Sequence, residues 1–166
     1  MKMIIHDLKP EQEERLFSAK EDLLTVSAKE TIKTCIGCFG CWLKTPGRCV
    51  LKDQYQEMGR DLSLCGELII ISRCVYGSFS PMVKSVMDRC IPYLHPCFTI
   101  RGGEMHHRRR YDNRLKISAF FYGEDLTEKE RETAEHIVRA NCVNLDGDMG
   151  RIAFLKKGEA LEGEWI

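Results

Sequence analysis

Residues 67–75, ELIIISRCV, constrain the fold more than any other stretch, because Leu68 to Ile71 are consecutive aliphatics with no polar alternation. A strand with one wet face alternates; an unbroken apolar run marks a strand covered on both faces, as in a parallel sheet between helical layers. The residues that follow agree. Gly77 to Ser80 form a small-residue turn, Ser80 is a natural N-cap, and Pro81 stands where the first helical residue needs no N–H. Val83, Val86, Met87, Cys90 and Ile91 then recur at helical spacing, which predicts a helix laid on the sheet.

The same alternation of strand and helix extends along the chain. MKMII and DLLTVSA flank the polar KPEQEERLFSAK, which reads as strand, short helix, strand. Asp53 is expected to cap a helix carrying Tyr55, Met58, Leu62 and Cys65, with Gly66 as its stop. LKISAFFYG is the next strand, and Thr127 with Glu130 forms a capping box for a helix whose inner face holds Ala134, Ile137 and Val138. RIAFLKKG supplies the last strand. Residues 92–114, including GGEMHHRRRY, read as a long polar connection, and connections of that length are more often functional or interfacial than idle. Strands alternating with helices predict one three-layer, doubly wound α/β domain over residues 1–166, with no repeat or linker.

Charge narrows the function classes. Lys and Arg number 25 against 25 Asp and Glu, so no global field draws the chain to nucleic acid or to an anionic membrane. The start, MKMIIHDLKP, has too short an apolar run for a signal peptide or a spanning helix, which makes the expected location cytoplasmic. Nine cysteines in such a chain read as reduced thiols or ligands rather than as a disulfide framework. Cys65, Cys74, Cys90, Cys97 and Cys142 stand singly and are expected to be small buried hydrophobes. Arg108, Arg109, Arg110 and Arg114 beside His106 and His107 read either as a solvated or intersubunit surface or as a site for a phosphate.

Two places can carry chemistry. In open parallel sheets ligands bind beyond the carboxyl ends of the strands, where strand order reverses. That singles out His6 to Leu8, CVYGSFSP, the cysteine segment after the second strand, and FYGED. In the second of these, the backbone of Gly77, Ser78 and Ser80 can meet an anionic or carbonyl-rich ring edge, while Tyr76 and Phe79 can pack on an aromatic face. The other place is CIGCFGCWLKTPGRC, where Cys35, Cys38, Cys41 and Cys49 follow a C-x2-C-x2-C-x7-C pattern and Pro46-Gly47 supplies a turn to bring Cys49 back. Such spacing lets thiolates from one loop converge on a cluster. Free or redox-active thiols fit the same residues; zinc fits less well, because no second C-x2-C pair lies downstream.

CVYGSFSPMVKSVMDR resembles the "PVYxxxxSxxxKxxxDR" stretch of the flavodoxin-like NAD(P)H-dependent FMN reductase family, with Val75, Tyr76, Ser80, Lys84, Asp88 and Arg89 in the corresponding slots. CIGCFGCWLKTPGRCVLKDQ resembles the segment upstream of it in many members, the iron–sulfur flavoproteins among them. The likeness covers residues 31–91. It implies a flavodoxin-like sheet of order 2-1-3-4-5, FMN as cofactor, and a homodimer or tetramer. It also implies hydride transfer from NAD(P)H to the flavin, then electron transfer to a quinone, a free flavin or another acceptor. Val75 and Gly77 to Ser80 would line the ring and ribityl edge, Tyr76 and Tyr122 would stack on the ring, and Gly123 would permit close approach. His106 to Arg110 would lie at the subunit interface. In the iron–sulfur members, the four cysteines would hold a [4Fe–4S] cluster and the partner would be another redox protein.

The chain departs from that family in three places. The phosphate-wrapping loop of type "GSPRxxGNT" is replaced by HDLKPEQEERL, which has no glycine or serine and carries Asp7, Glu11, Glu13 and Glu14. The turn between Tyr76 and Lys84 is one residue short of the family pattern, and Cys74 takes a proline slot. The ending, RIAFLKKGEALEGEWI, leaves little room for a closing helix. A non-catalytic module that keeps the fold after losing the phosphate loop is therefore a further reading.

Overall fold

The computed structural model describes residues 1–18, 21–28 and 31–155. Five parallel strands form one sheet: β1 (Lys2–His6), β2 (Leu23–Ser27), β3 (Glu67–Arg73), β6 (Lys116–Tyr122) and β7 (Asp148–Leu155), in the order β2-β1-β3-β6-β7. A separate antiparallel pair, β4 (Leu94–Arg101) and β5 (Glu104–Arg109), stands apart from it. Numbered among the parallel strands alone, the order is the expected 2-1-3-4-5 of a doubly wound flavodoxin-like fold. The helices are α1 (Pro10–Phe17), α2 (Gly40–Leu43), α3 (Met58–Ser63), α4 (Pro81–Asp88) and α5 (Glu128–Asn144), and a 3-10 turn covers Ile91–Tyr93. No helix among the described residues is long and apolar enough to cross a membrane. The expected lack of a closing helix concerns residues 156–166, which lie outside the described residues.

The aliphatic run of β3 is explained by the two cores it divides. Leu68 and Ile70 face one side, packed with Met58, Leu62, Val83, Val86, Ala134 and Val138 of α3, α4 and α5. Ile69 and Ile71 face the other, with Ile4, Leu8, Leu16, Phe17 and Phe120. Each buried aliphatic of this kind contributes about 1.5–3 kcal/mol by leaving water. Caps fix the helices over these cores. Ser80 accepts the Val83 amide at 3.4 Å with Pro81 in the first turn, and Thr127 and Glu130 form the expected reciprocal box at the start of α5. Cys65, Cys74, Cys90 and Cys142 are buried as expected, whereas Cys97 on β4 is exposed.

Two further expectations are corrected. Residues 92–114 are no irregular connection but a hairpin. Gly102 and Gly103, at φ 56° and 86°, make the two-residue turn that joins Arg101 to its partner Glu104. Ile100 pairs with Met105 and Phe98 with His107. The arginines and histidines also find acceptors within the chain: Arg109 binds Asp146 at 2.9 Å, Arg110 the carbonyls of Pro92 and Leu94, and His106 the Asn144 amide oxygen and Glu104. Their ordering thus does not by itself call for a neighbouring subunit. The second correction is Asp53, which caps no helix. Helix α3 begins after Glu57, and the Asp53 carboxylate binds Arg89 instead.

Candidate functional site at the carboxyl edge of the sheet

The order reversal places the crevice between β1 and β3, and Asp7 fills its mouth. The Arg73 amide donates to both Asp7 carboxylate oxygens, at 3.1 and 3.2 Å, and the Tyr122 hydroxyl donates to one of them at 3.0 Å. Burial raises the Tyr122 phenol above its ordinary range and the adjacent Asp7 carboxylate raises it further, so Tyr122 stays a donor at neutral pH. The loop after β1 spends its own amides. Asp7 N–H donates to the Ile71 carbonyl, Leu8 N–H to His6 Nδ1, Lys9 N–H to Gln12 Oε1, and the amides of Gln12 and Glu13 to the Lys9 carbonyl. Pro10 has none to give. Glu11 and Glu13 occupy the first turn of α1, where carboxylates offset the positive end of the helix dipole.

The CVYGSFSP turn lies next to this crevice. Val75 and Ser78 exchange amide hydrogen bonds of 2.9 Å around Tyr76 (φ 52°) and Gly77 (φ 74°). A side chain at position 77 would stand 2.7 Å from Thr133 and 2.9 Å from the Glu130 carbonyl, so α5 packs against the bare glycine. The turn is tied to the next loop where the Cys74 amide donates to the Tyr122 carbonyl at 2.8 Å, and Gly123 packs against Leu126.

The expected residues Val75 to Ser80, Tyr122 and Gly123 are thus brought together, but they do not all face outward. Tyr76 is 90% exposed. Phe79 points inward and stacks on Phe121 at 5.2 Å, Ser80 gives its amide to Ser72 Oγ, and the Tyr122 hydroxyl is committed to Asp7. The surface open to a flat ligand is the Tyr76 ring; Gly77 is buried under α5, and Val75 and Ser78 are half-buried with their amides paired to each other. That exposed ring can stack on the face of a flat aromatic ligand, whereas most amides of the loop after β1 are already spent, which leaves a phosphate there no cradle.

The cysteine segment forms a second, distinct place. Its neck is clasped by Arg89 at the end of α4, whose guanidinium binds Asp53 at 2.7 and 2.8 Å, the Lys33 carbonyl at 2.7 Å and the Leu51 carbonyl at 3.1 Å. Within the loop, Pro46-Gly47 turns as expected, with the Gly47 amide on the Cys41 carbonyl. Cys35, Cys38, Cys41 and Cys49 all line one cavity of about 220 Å³, together with Ile36, Phe39, Trp42, Leu51 and Ile91. Burial, with the neighbouring Cys49 and Cys35, pushes the Cys41 thiol up to about 11, so it remains protonated at neutral pH. No three His, Cys, Asp or Glu side chains among the described residues are placed to hold a metal ion. The expected ligand set is gathered around one space without ligating geometry. The contact of Asp7 with the Arg73 amide and the Asp53–Arg89 clasp are the features that residue patterns alone did not reveal.

No protein-family model and no curated protein matches the sequence. Solved structures do. An FMN-dependent NADH-azoreductase from Bacillus anthracis str. Ames Ancestor, in complex with FMN, superposes with a TM-score of 0.56 at 10% identity, over 97% of this chain and 89% of its own. The Trp repressor binding protein from Bacillus subtilis gives 0.55 at 10% identity, over 94% of this chain and 86% of its own. A candidate quinone reductase from Klebsiella pneumoniae gives 0.51 at 10% identity, over 96% and 79%. At such identities the likeness is one of fold.

Proposed function

We propose that this protein is an NAD(P)H-dependent flavin oxidoreductase that passes electrons to a small acceptor such as a quinone or a free flavin. The observation that carries the reading is the Val75–Ser78 turn, which presents an exposed Tyr76 ring beside the β1/β3 crevice, in a fold shared over most of its length with an FMN-bound azoreductase. When bound, the flavin supplies the hydride and electron chemistry. The chain's own part is to receive the ring. Tyr76 offers a stacking face, the mutual Val75–Ser78 amide pair and the packing of α5 on Gly77 hold the turn that carries it, and Gly123 leaves the neighbouring loop without a side chain. No protein acid or base is assigned. Anaerobically purified protein is expected to show flavin bands, or to quench added flavin fluorescence, without stoichiometric iron and sulfide. Absence of any flavin binding would sink this reading. Stoichiometric iron and sulfide would favour the second reading, an electron carrier with a cluster on Cys35, Cys38, Cys41 and Cys49, which is supported by the gathering of these thiols around one cavity.

The reading includes a homodimer or dimer of dimers. Its support is the hairpin, where Phe98, Ile100 and Met105 share one face and are 59%, 76% and 70% exposed. Contiguous exposed apolar side chains of this kind mark association surfaces. Sedimentation at micromolar concentration is expected to give a dimer or larger, and Ile100→Glu is expected to shift it toward monomer. A wild-type monomer with and without flavin would refute the assembly.

A further inference from the structure

The loop after β1 is built to refuse a phosphate. An anion at a strand-to-helix turn is held by unspent amides and by the positive end of the helix dipole. Here the amides of Asp7, Leu8, Lys9, Gln12 and Glu13 each already donate to an acceptor in the protein. The Arg73 amide, which the neighbouring strand end could have offered, is taken by both oxygens of Asp7. The dipole of α1 is met by Glu11 and Glu13. Asp7 therefore occupies the position of an internal anion, and a phosphate dianion entering the crevice would meet its charge with the Glu11 amide as the one backbone donor of this turn not already given an acceptor. The exposed Arg73 guanidinium, with Lys9 and Arg15, offsets part of this, but Asp7, Glu11, Glu13 and Glu14 in the same short segment still outnumber them.

We infer that the site selects a flavin whose ribityl chain carries no phosphate, riboflavin being the simplest example, and that Asp7 is the residue that discriminates against FMN. This rests on the flavin reading above and narrows it: the Tyr76 turn would hold the ring, and ring affinity would not be supplemented by phosphate binding. The selection is electrostatic, so it is sensitive to salt.

Flavin fluorescence quenching with riboflavin and with FMN, at low and at high ionic strength, tests the inference on the wild-type protein. Riboflavin is expected to bind more tightly than FMN at low salt, with the gap narrowing as salt is raised. Asp7→Asn removes the charge while leaving an oxygen to accept the Arg73 amide. It is expected to tighten FMN binding over riboflavin binding on the order of tenfold, the repulsion between a unit charge and a dianion about 6 Å apart under water-like screening. FMN binding tenfold tighter than riboflavin in the wild type would overturn the inference and leave the flavin reading standing. An affinity gap that does not respond to salt would also overturn it. Binding of neither flavin would overturn both.

Discussion

Arg89→Met is expected to destabilise the protein by about 3 kcal/mol, the largest loss for any polar substitution here, because it removes a buried guanidinium from four acceptors and leaves a half-buried carboxylate without its partner. Arg89 is 1% exposed, and its guanidinium holds four acceptors at once: both oxygens of Asp53 and the carbonyls of Lys33 and Leu51. Lys33 and Leu51–Asp53 are the entry and exit of the cysteine loop, and the Lys33 amide also donates to Asp53 at 3.1 Å. One side chain thus closes a loop that has little regular structure beyond the short helix α2. Denaturant unfolding measures the loss, and thiol titration gives a local readout, since buried Cys49 should become reactive under native conditions. Asp53→Leu combined with Arg89→Met should recover part of the stability, because an apolar pair removes the orphaned charge. A loss below about 1 kcal/mol for Arg89→Met would refute the clasp.

The clasp also sets a pH window. Burial tends to raise the Asp53 carboxyl, but the hydrogen bonds from Arg89 and from the Lys33 and Tyr55 amides outweigh it and hold it below its ordinary value. A carboxyl depressed on folding contributes stability that is fully present above its unfolded value of about 3.9 and lost as pH falls toward its folded value. The wild type should therefore lose this contribution only in acid below about pH 4, and Asp53→Asn should flatten that limb of the profile.

What was legible in the sequence was local. The run Leu68–Ile71, the cap at Ser80-Pro81 and the box at Thr127 and Glu130 each depend on neighbours within a few residues, so they fixed the parallel sheet and two of its helices. The hairpin was hidden because its turn, Gly102-Gly103, is followed by HHRRR, whose polarity masks the pairing of Ile100 with Met105. Asp53 was read as a cap because short-range chemistry favours it; its true partner, Arg89, lies 36 residues on. At the candidate site, the acidic character of the loop after β1 could be read directly. That Asp7 would take the Arg73 amide could not, since the contact spans 66 residues and exists only once β1 and β3 are side by side. The gathering of four thiols was legible from spacing; their failure to reach ligating geometry is a property of the folded loop.

Phe121→Ala should be the most damaging apolar substitution near the site, at about 3–5 kcal/mol. Phe121 is fully buried at the centre of a three-ring stack, 5.2 Å from Phe79 and 5.6 Å from Phe154, with interplanar angles of 15° and 17°. The Arg131 guanidinium lies 4.9 Å from the Phe154 ring centre and closes the stack from α5. Removing the middle ring opens a cavity and strands two aromatic faces that no other side chain can cover. Phe121→Leu keeps most of the volume and loses the ring contacts, so it should cost about 1–2 kcal/mol less than the alanine change. The functional consequence runs through Phe79, two residues after Gly77: its stacking anchors the turn that presents Tyr76. Weaker flavin binding should therefore accompany the stability loss, and the alanine variant should bind flavin more weakly than the leucine variant even at temperatures where both are folded. Equal affinities for folded Phe121→Ala and wild type would show that the stack supports the core alone and leaves the turn to be held by the Val75–Ser78 pair and α5.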